Sequence, residues 1–293
     1  MTLPIRRETI QGWLLVLPAV ALLALFTHWP ALQTIWASVH TAPVPRHPSR
    51  LDTTANFGAM VADPVFWQAL RNNLIYAACT IPATMALSLA MALAVNRAMP
   101  GRALLRLAYF TPTMLPMVAV ANIWLFFFSP GYGLIDRALA PFGLADWNWL
   151  GSAGTALPAM IIIAIWKMAG FYMVFYLAAL QAIPPELQEA SDLEGASRLT
   201  FFRRVVWPLV MPTTLFVFVN AVIDAFRLVD HILVLTKGGP DNATQLLLTY
   251  IYQVGFQYWD TNYAAALTVL LLVVLAAVAV LQFAVIERRV HYR

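Results

Sequence analysis

Charge is the first thing this sequence has little of: Asp, Glu, Lys and Arg make up 11% of its 293 residues, against about 25% in a soluble domain. That shortage excludes an ordinary cytosolic enzyme, a disordered chain and a nucleic-acid binder. Cysteine is almost missing too. The single Cys79 lies inside an apolar run, which excludes a disulfide framework. There is no G-x-x-x-x-G-K-[ST] phosphate loop, no HExxH and no GxSxG, so ATP chemistry, zinc proteolysis and serine hydrolysis have no visible seat. The five His (28, 40, 47, 231, 291) are scattered, without the spacing of a metal site. No low-complexity tract, soluble domain or clear internal repeat stands out. The missing repeat counts against the inverted-repeat secondary transporters. No catalytic residue and no metal ligand is therefore assigned.

What is abundant is apolar. Hydrophobic residues reach 61% and the mean hydropathy is +0.72. A helix needs about 20 apolar residues to cross about 30 Å of hydrocarbon. Six stretches qualify, at 13–39, 70–95, 104–128, 157–181, 205–226 and 264–286. Continuous runs of this length exclude the short alternating segments of a membrane β-barrel. The first run is longer than a secretory-signal core and no small-x-small site follows it, so it is read as an uncleaved span. The expected fold is an all-α integral membrane protein with six transmembrane helices.

Arginine and lysine orient it. With the N-terminus in the cytoplasm, Arg6, Arg7, Arg97, Arg102, Arg106, Arg198, Arg203, Arg204, Arg288, Arg289 and Arg293 fall inside. Arg46, Arg50, Arg71, Arg137 and Lys237 fall outside. This excess places both termini in the cytoplasm. The outer segments 40–69, 129–156 and 227–263 carry Tyr132, Trp147, Trp149, Tyr258 and Trp259, aromatics that suit either the headgroup level or a docking surface.

One cytoplasmic loop does not read as a loop. Residues 182–208 are AIPPELQEASDLEGASRLTFFRRVVWP. Pro184 and Pro185 end one span and preset a new helix. Glu186 and Glu189 sit in its first turns, where carboxylates favour the dipole. Leu187, Ala190 and Leu193 recur at helical spacing, and Gly195 permits a reversal. The spacing predicts two short helices with a glycine between them, showing apolar side chains to water. Such a patch marks a partner site; an interfacial helix pair on the membrane is the other reading.

These residues resemble the EAA loop of ATP-binding-cassette importer permeases: Glu-Ala-Ala, three residues, Gly, nine residues, Ile-x-Leu-Pro. Here Glu189-Ala190-Ser191 is followed by Gly195 and, nine residues on, by Val205-Val206-Trp207-Pro208. Ser191, Glu194, Val205 and Trp207 depart from the usual Ala, Asp, Ile and Leu. A second run, Ala225-Phe226, Asp230 and Val234-Leu235-Thr236-Lys237-Gly238-Gly239-Pro240, is similar to the carbohydrate-uptake branch, the maltose and glycerol-3-phosphate type. Ile165-Trp166-Lys167 and the terminal Glu287-Arg288-Arg289-Val290-His291-Tyr292 are similar to it as well.

The resemblance implies the type I importer permease fold, with residues 70–293 as a five-span core and 1–69 as an N-terminal span plus first periplasmic loop. It implies a multi-pass subunit of the bacterial inner membrane, itself not an enzyme. Its partners would be a second, homologous permease, two ATP-binding subunits that hold the ATP and Mg, a periplasmic solute-binding protein and membrane lipid. The EAA segment would be a coupling helix: the motif itself carries over at Glu189, Ala190 and Gly195, and Ser191, Leu193, Ala196 and Phe202 are read as ATPase-coupling beside them. Arg203 and Arg204, outside the motif, are read as facing either the ATPase or anionic lipid. Thr236, Gly238, Gly239 and Pro240 would reach toward the binding protein. The solute would be a sugar, oligosaccharide or polyol derivative.

Charges in hydrocarbon face a cavity or one another. Asn220, Asp224, Arg227 and His231 fall at steps of four, three and four, on one helical face. This face is read as lining the translocation path or the partner permease; a purely structural Asp224–Arg227 pair is the alternative. Lys167, in the fourth span, is read as structural or gating before substrate-binding, and Asn122 is a further path candidate. Arg227 stands where the family often has Gln, and a cation there suits an anionic solute. Two other classes remain in play: an ion-gradient-driven secondary transporter, needing no ATPase, and a membrane-embedded enzyme, needing a catalytic pair.

Overall fold

A computed structural model describes residues 7–41, 49–143 and 147–286, with side chains over 11–41, 49–143 and 147–281. Arg6, Arg46, Arg288, Arg289, Arg293 and the terminal 287–292 run lie outside the described residues, as does the side chain of Arg7. Among the described residues the chain is helical, apart from one isolated antiparallel bridge between His40 and Leu51. Five helical runs are long and apolar enough to cross a membrane: Gln11–Ser38, Pro64–Asn96, Ala153–Gln181, Arg198–Leu235 and Thr261–Leu281. A further pair of apolar helices, Arg102–Met114 and Met117–Phe127, is bent by 102° at its junction, the geometry of either one broken crossing or a re-entrant loop. The six apolar stretches of the sequence are all there. The third is broken rather than straight, and the fifth runs well past both its expected ends.

In chain order, α1 (Arg7–Leu23) and α2 (Trp29–Ser38) are joined by a wider turn at Ala24–His28. Pro30 lacks the N–H that would close the ordinary bond to residue 26, which accounts for the widening. After α3 (Ala55–Ala62) come α4 (Pro64–Asn96), α5 (Arg102–Met114), α6 (Met117–Phe127) and α7 (Leu134–Leu139). Then follow α8 (Ala153–Gln181), α9 (Pro185–Leu193), α10 (Arg198–Phe201), α11 (Trp207–Arg227), α12 (Asp230–Leu235), α13 (Leu247–Tyr252) and α14 (Thr261–Ile286). A wider turn at Phe202–Val206 fuses α10 to α11, again just ahead of a proline, Pro208. The second of the two expected short helices therefore merges into the fifth span.

The described residues fall into two units, those within Met1–Asp63 and Ile251–Val273, and those within Pro64–Tyr250 and Val274–Arg293. In the first, side-chain amides do the joining. Asn56 Nδ2 donates to the carbonyls of Ser38 (2.8 Å) and His40 (2.9 Å), and Asn262 Nδ2 to those of Ala37 (3.2 Å) and His40 (2.8 Å). The Tyr263 hydroxyl donates to Asp63 at 2.7 Å. Asp52 accepts from the Thr54 and Ala55 backbone amides at the start of α3, bonds that hold its carboxyl below the ordinary range. In the apolar window of the first span no residue is buried by the chain, so its side chains are left for lipid or another subunit.

The second unit is built on α4 packed along α8, with α5 and α11 against α8 and α6 against α12. One face of α4 is buried at four-residue steps: Tyr76, Thr80, Thr84, Ser88 and Ala92. Its hydroxyls spend themselves on their own helix, Thr80 on the Tyr76 carbonyl (2.7 Å) and Ser88 on that of Thr84 (2.5 Å). Polar groups so satisfied can sit between helices without water. Below them Ala92 and Val95 pack with Tyr172, Tyr176 and Leu180 of α8 and Val210 and Val217 of α11. Small residues let the backbones approach. At Gly170 a Cβ would fall on the Tyr109 carbonyl of α5.

Candidate functional site

The 182–208 segment is built as two short helices around a glycine, as its spacing predicts. Pro184 is the N-cap of α9 in an extended conformation (ψ 132°), with Pro185 in the first turn and Glu186 beside the exposed amides. The helix closes at Gly195, whose φ of +67° is left-handed, and the Ala196 amide returns to the Ser191 carbonyl at 3.0 Å. Nothing lies within 4 Å of a Cβ built on Gly195. Backbone conformation, not space, therefore favours glycine there. Ser197 then caps α10, its Oγ accepting from the Thr200 amide at 3.2 Å. Glu189 and Ala190 are exposed, and Leu193 is 90% exposed. Ser191 turns inward and is buried, Ala196 and Phe202 are half-buried, and Arg203 faces out. A leucine left this bare on a short helix is an unpartnered contact.

The expected polar face of the fifth span divides. Asn220, Asp224 and Arg227 share α11, but that helix ends at Arg227 and Leu228 is extended (ψ 90°). His231 belongs to α12 and is wholly buried, with Nε2 3.3 Å from the Tyr76 hydroxyl. The continuous helical stripe is therefore interrupted, and Tyr76, which also lines the cavity beside Asp224, is what His231 meets. Asp224 accepts its hydrogen bond from the Tyr172 hydroxyl (2.6 Å), not from Arg227, which is exposed. Beside Asp224 lies a cavity of about 20 Å³, lined among others by Tyr76, Thr80, Thr84, Met168 and Tyr172, room for about one water. Asn220 and Asn122 each donate to their own helix, at the Phe216 (2.7 Å) and Val118 (2.9 Å) carbonyls. Tyr76 and Tyr172 were not singled out in the sequence. The four-residue polar stripe of α4 was the signal that could have found the first; nothing distinguished the second from its aromatic neighbours.

Lys167 explains the broken third span. Pro116 drives Leu115 into an extended conformation (ψ 136°), so the last carbonyls of α5 lose their helical partners. The Lys167 Nζ donates to those of Pro112 (2.7 Å), Thr113 (2.9 Å) and Leu115 (2.5 Å). The Thr113 hydroxyl returns a bond to the Lys167 carbonyl at 3.3 Å. Only 8% of the residue is exposed. All three ammonium donors are in use, which favours the structural side of the expectation over solute contact.

At the opposite end of α11 and α12, the Thr236–Pro240 turn is tied back on itself. Thr244 Oγ1 donates to the Gly239 carbonyl at 2.7 Å and meets Thr236 Oγ1 at 2.7 Å. Positive φ occurs at Lys237, Gly238, Asp241 and Asn242, so of the two adjacent glycines only Gly238 needs its freedom. A Cβ there would also strike the Gln245 side chain. The turn is further clamped to α4. Gln68 donates to the Asp241 carbonyl (2.9 Å), and buried Asn72 to those of Asn242 (2.8 Å) and Gln245 (3.0 Å). Among the described residues no His, Cys, Asp and Glu cluster is placed to hold a metal ion.

A family model described as "Binding-protein-dependent transport system inner membrane component" matches residues 84–292. The sn-glycerol-3-phosphate transport system permease protein UgpA of Yersinia pestis is 34% identical over 285 residues, covering 96% of this chain and 95% of that protein. The protein of the same name from Agrobacterium fabrum is 32% identical, covering 97% of each. In fold, the chain is similar to a subunit of a bacterial alginate ABC transporter, solved in complex with an alginate pentasaccharide-bound periplasmic protein. The TM-score is 0.86 and the identity 23%, over 97% of both chains. It is similar more distantly to a chain of the inward-facing MetNI methionine ABC transporter, with a TM-score of 0.54 and 16% identity over 77% of this chain.

Proposed function

Because the chain belongs to the binding-protein-dependent transport system inner membrane components, we propose that it is one permease half of an ATP-driven importer for an anionic sugar or polyol derivative. The observation that carries the substrate class is the likeness, along nearly the whole chain, to permeases named for sn-glycerol-3-phosphate. The exposed Arg227 beside Asn220 and Asp224 on α11 supports it, since a guanidinium in a low-dielectric path favours an anion. Residues 70–293 form the transport core in this reading, and 1–69 add a span to it. Both termini are cytoplasmic. A second, homologous permease completes the path, two ATPase subunits holding ATP and Mg seat on α9, and a periplasmic solute-binding protein docks near Thr236–Pro240.

Mechanically, closure of the ATPase pair displaces α9 through Glu189, Ala190 and Leu193. The fused run from α10 into α11 carries that displacement to the Asn220–Arg227 face, giving alternating access. Uptake into vesicles of the assembled transporter should require internal ATP and survive collapse of ion gradients; the reverse would establish a secondary carrier. Arg227→Gln should cut uptake of a charged polyol phosphate about tenfold or more while sparing a neutral polyol, a difference of about 1.4 kcal/mol at the transition state. Equal loss of both would remove the anion assignment.

A further inference from the structure

Behind α9 lies a second, larger cavity of about 730 Å³, within the range of about 300–1,000 Å³ typical of ligand sites. Its apolar lining includes Leu93, Leu180, Ile183, Phe201, Phe202 and Val206. Its polar lining includes two cations, Arg97 and Arg198, and one carboxylate, Asp192. The carboxylate is engaged, because Gln188 Nε2 donates to it at 2.9 Å. Both guanidinium groups are exposed, and neither has a hydrogen-bond or ion-pair partner among the described residues.

Position adds a second argument. Leu93, Asn96 and Arg97 stand where α4 ends, and Leu180 and Ile183 where α8 ends. Two spans finish at this cavity, so it lies at the boundary between hydrocarbon and water whichever way the chain is inserted. A group that fits must offer an anion to two guanidinium forks and an apolar body to the walls. We propose that this cavity binds an anionic phospholipid, its phosphate between Arg97 and Arg198 and its acyl chain along Phe201, Phe202 and Leu180.

The lipid and the ATPase take different sides of the helix. Pro185, Gln188 and Asp192 line the cavity, whereas Ala190 lies about 200° around from Gln188 at 100° per residue, with Glu189 at the edge between the two faces. A bound lipid therefore backs the coupling helix rather than competing for its outer face. Lipid binding itself does not depend on the transport reading, so the two fail separately.

Native mass spectrometry of the full-length chain tests it, with phosphatidylglycerol and phosphatidylcholine offered in equal amounts. The unaltered chain should retain phosphatidylglycerol about tenfold in preference, and Arg97→Gln/Arg198→Gln should abolish the preference. Arg102→Gln/Arg204→Gln removes the same charge outside the cavity and should preserve it. All four side chains are exposed, so folding is not at stake. No preference in the unaltered chain, or equal loss in both double variants, would overturn the site. So would displacement of the lipid when the ATPase subunits bind, which would make the cavity a protein seat.

Discussion

Lys167 shows how one side chain can decide the course of a helix it does not belong to. Three carbonyls freed by a proline break would otherwise face an apolar interior, at a cost of about 1–3 kcal/mol for each unsatisfied group. A single ammonium answers all three. Lys167→Met should therefore destabilise the chain by about 2–3 kcal/mol, read as a lowered unfolding midpoint in detergent. Lys167→Arg, which keeps several donors, should recover part of the loss. An unchanged midpoint in Lys167→Met would show that the carbonyls find other partners. The sequence marks this lysine as a charge out of place in a span. It does not show what the lysine touches, because the carbonyls lie over fifty positions earlier in the chain. Gly195 is the opposite case: its left-handed turn was legible, since reversal after a short helix is a local requirement.

At the scale of elements, α4 joins two sites that the sequence leaves far apart. Its first turns clamp the Thr236–Pro240 loop through Gln68 and Asn72, and its middle turns bring Tyr76 and Thr80 to the cavity beside Asp224. These carbonyl-to-amide bonds fix the loop against α4, beside the hydroxyl bonds that Thr236 and Thr244 make within it. Asn72→Leu removes two of these bonds. Binding-protein-stimulated ATP hydrolysis by the assembled transporter should fall several-fold while basal hydrolysis stays within a factor of two. Equal loss of both rates would assign Asn72 to folding alone. The break between α11 and α12 belongs to this scale too. Steps of four, three and four put His231 on the stripe of Asn220, Asp224 and Arg227 only if the helix continues. Leu228 interrupts it, and the imidazole is buried against Tyr76 instead.

Across the whole molecule, the sites occupy opposite ends of one crossing. α11 has 21 residues, about 31 Å of helix, with the proposed coupling segment before it and the Thr236–Pro240 turn after it. In a chain whose native Cys79 has been replaced by Ala, a membrane-impermeant maleimide should label Asp241→Cys in intact spheroplasts. It should reach Glu189→Cys only in inverted vesicles. The reverse pattern would invert the proposed orientation. The apolar character of the spans and the paired short helices of residues 182–208 were set by the sequence alone. Each depends on composition or on spacing within a few turns, and desolvation of about 20 consecutive residues leaves few alternatives. Only the tertiary structure decided which polar groups meet. The Lys167 cap, the Tyr172–Asp224 bond, the Asn72 clamp and the arginine-flanked cavity behind α9 each join segments distant in sequence. Such pairings follow from how helices cross and pack, a property no local pattern of residues contains.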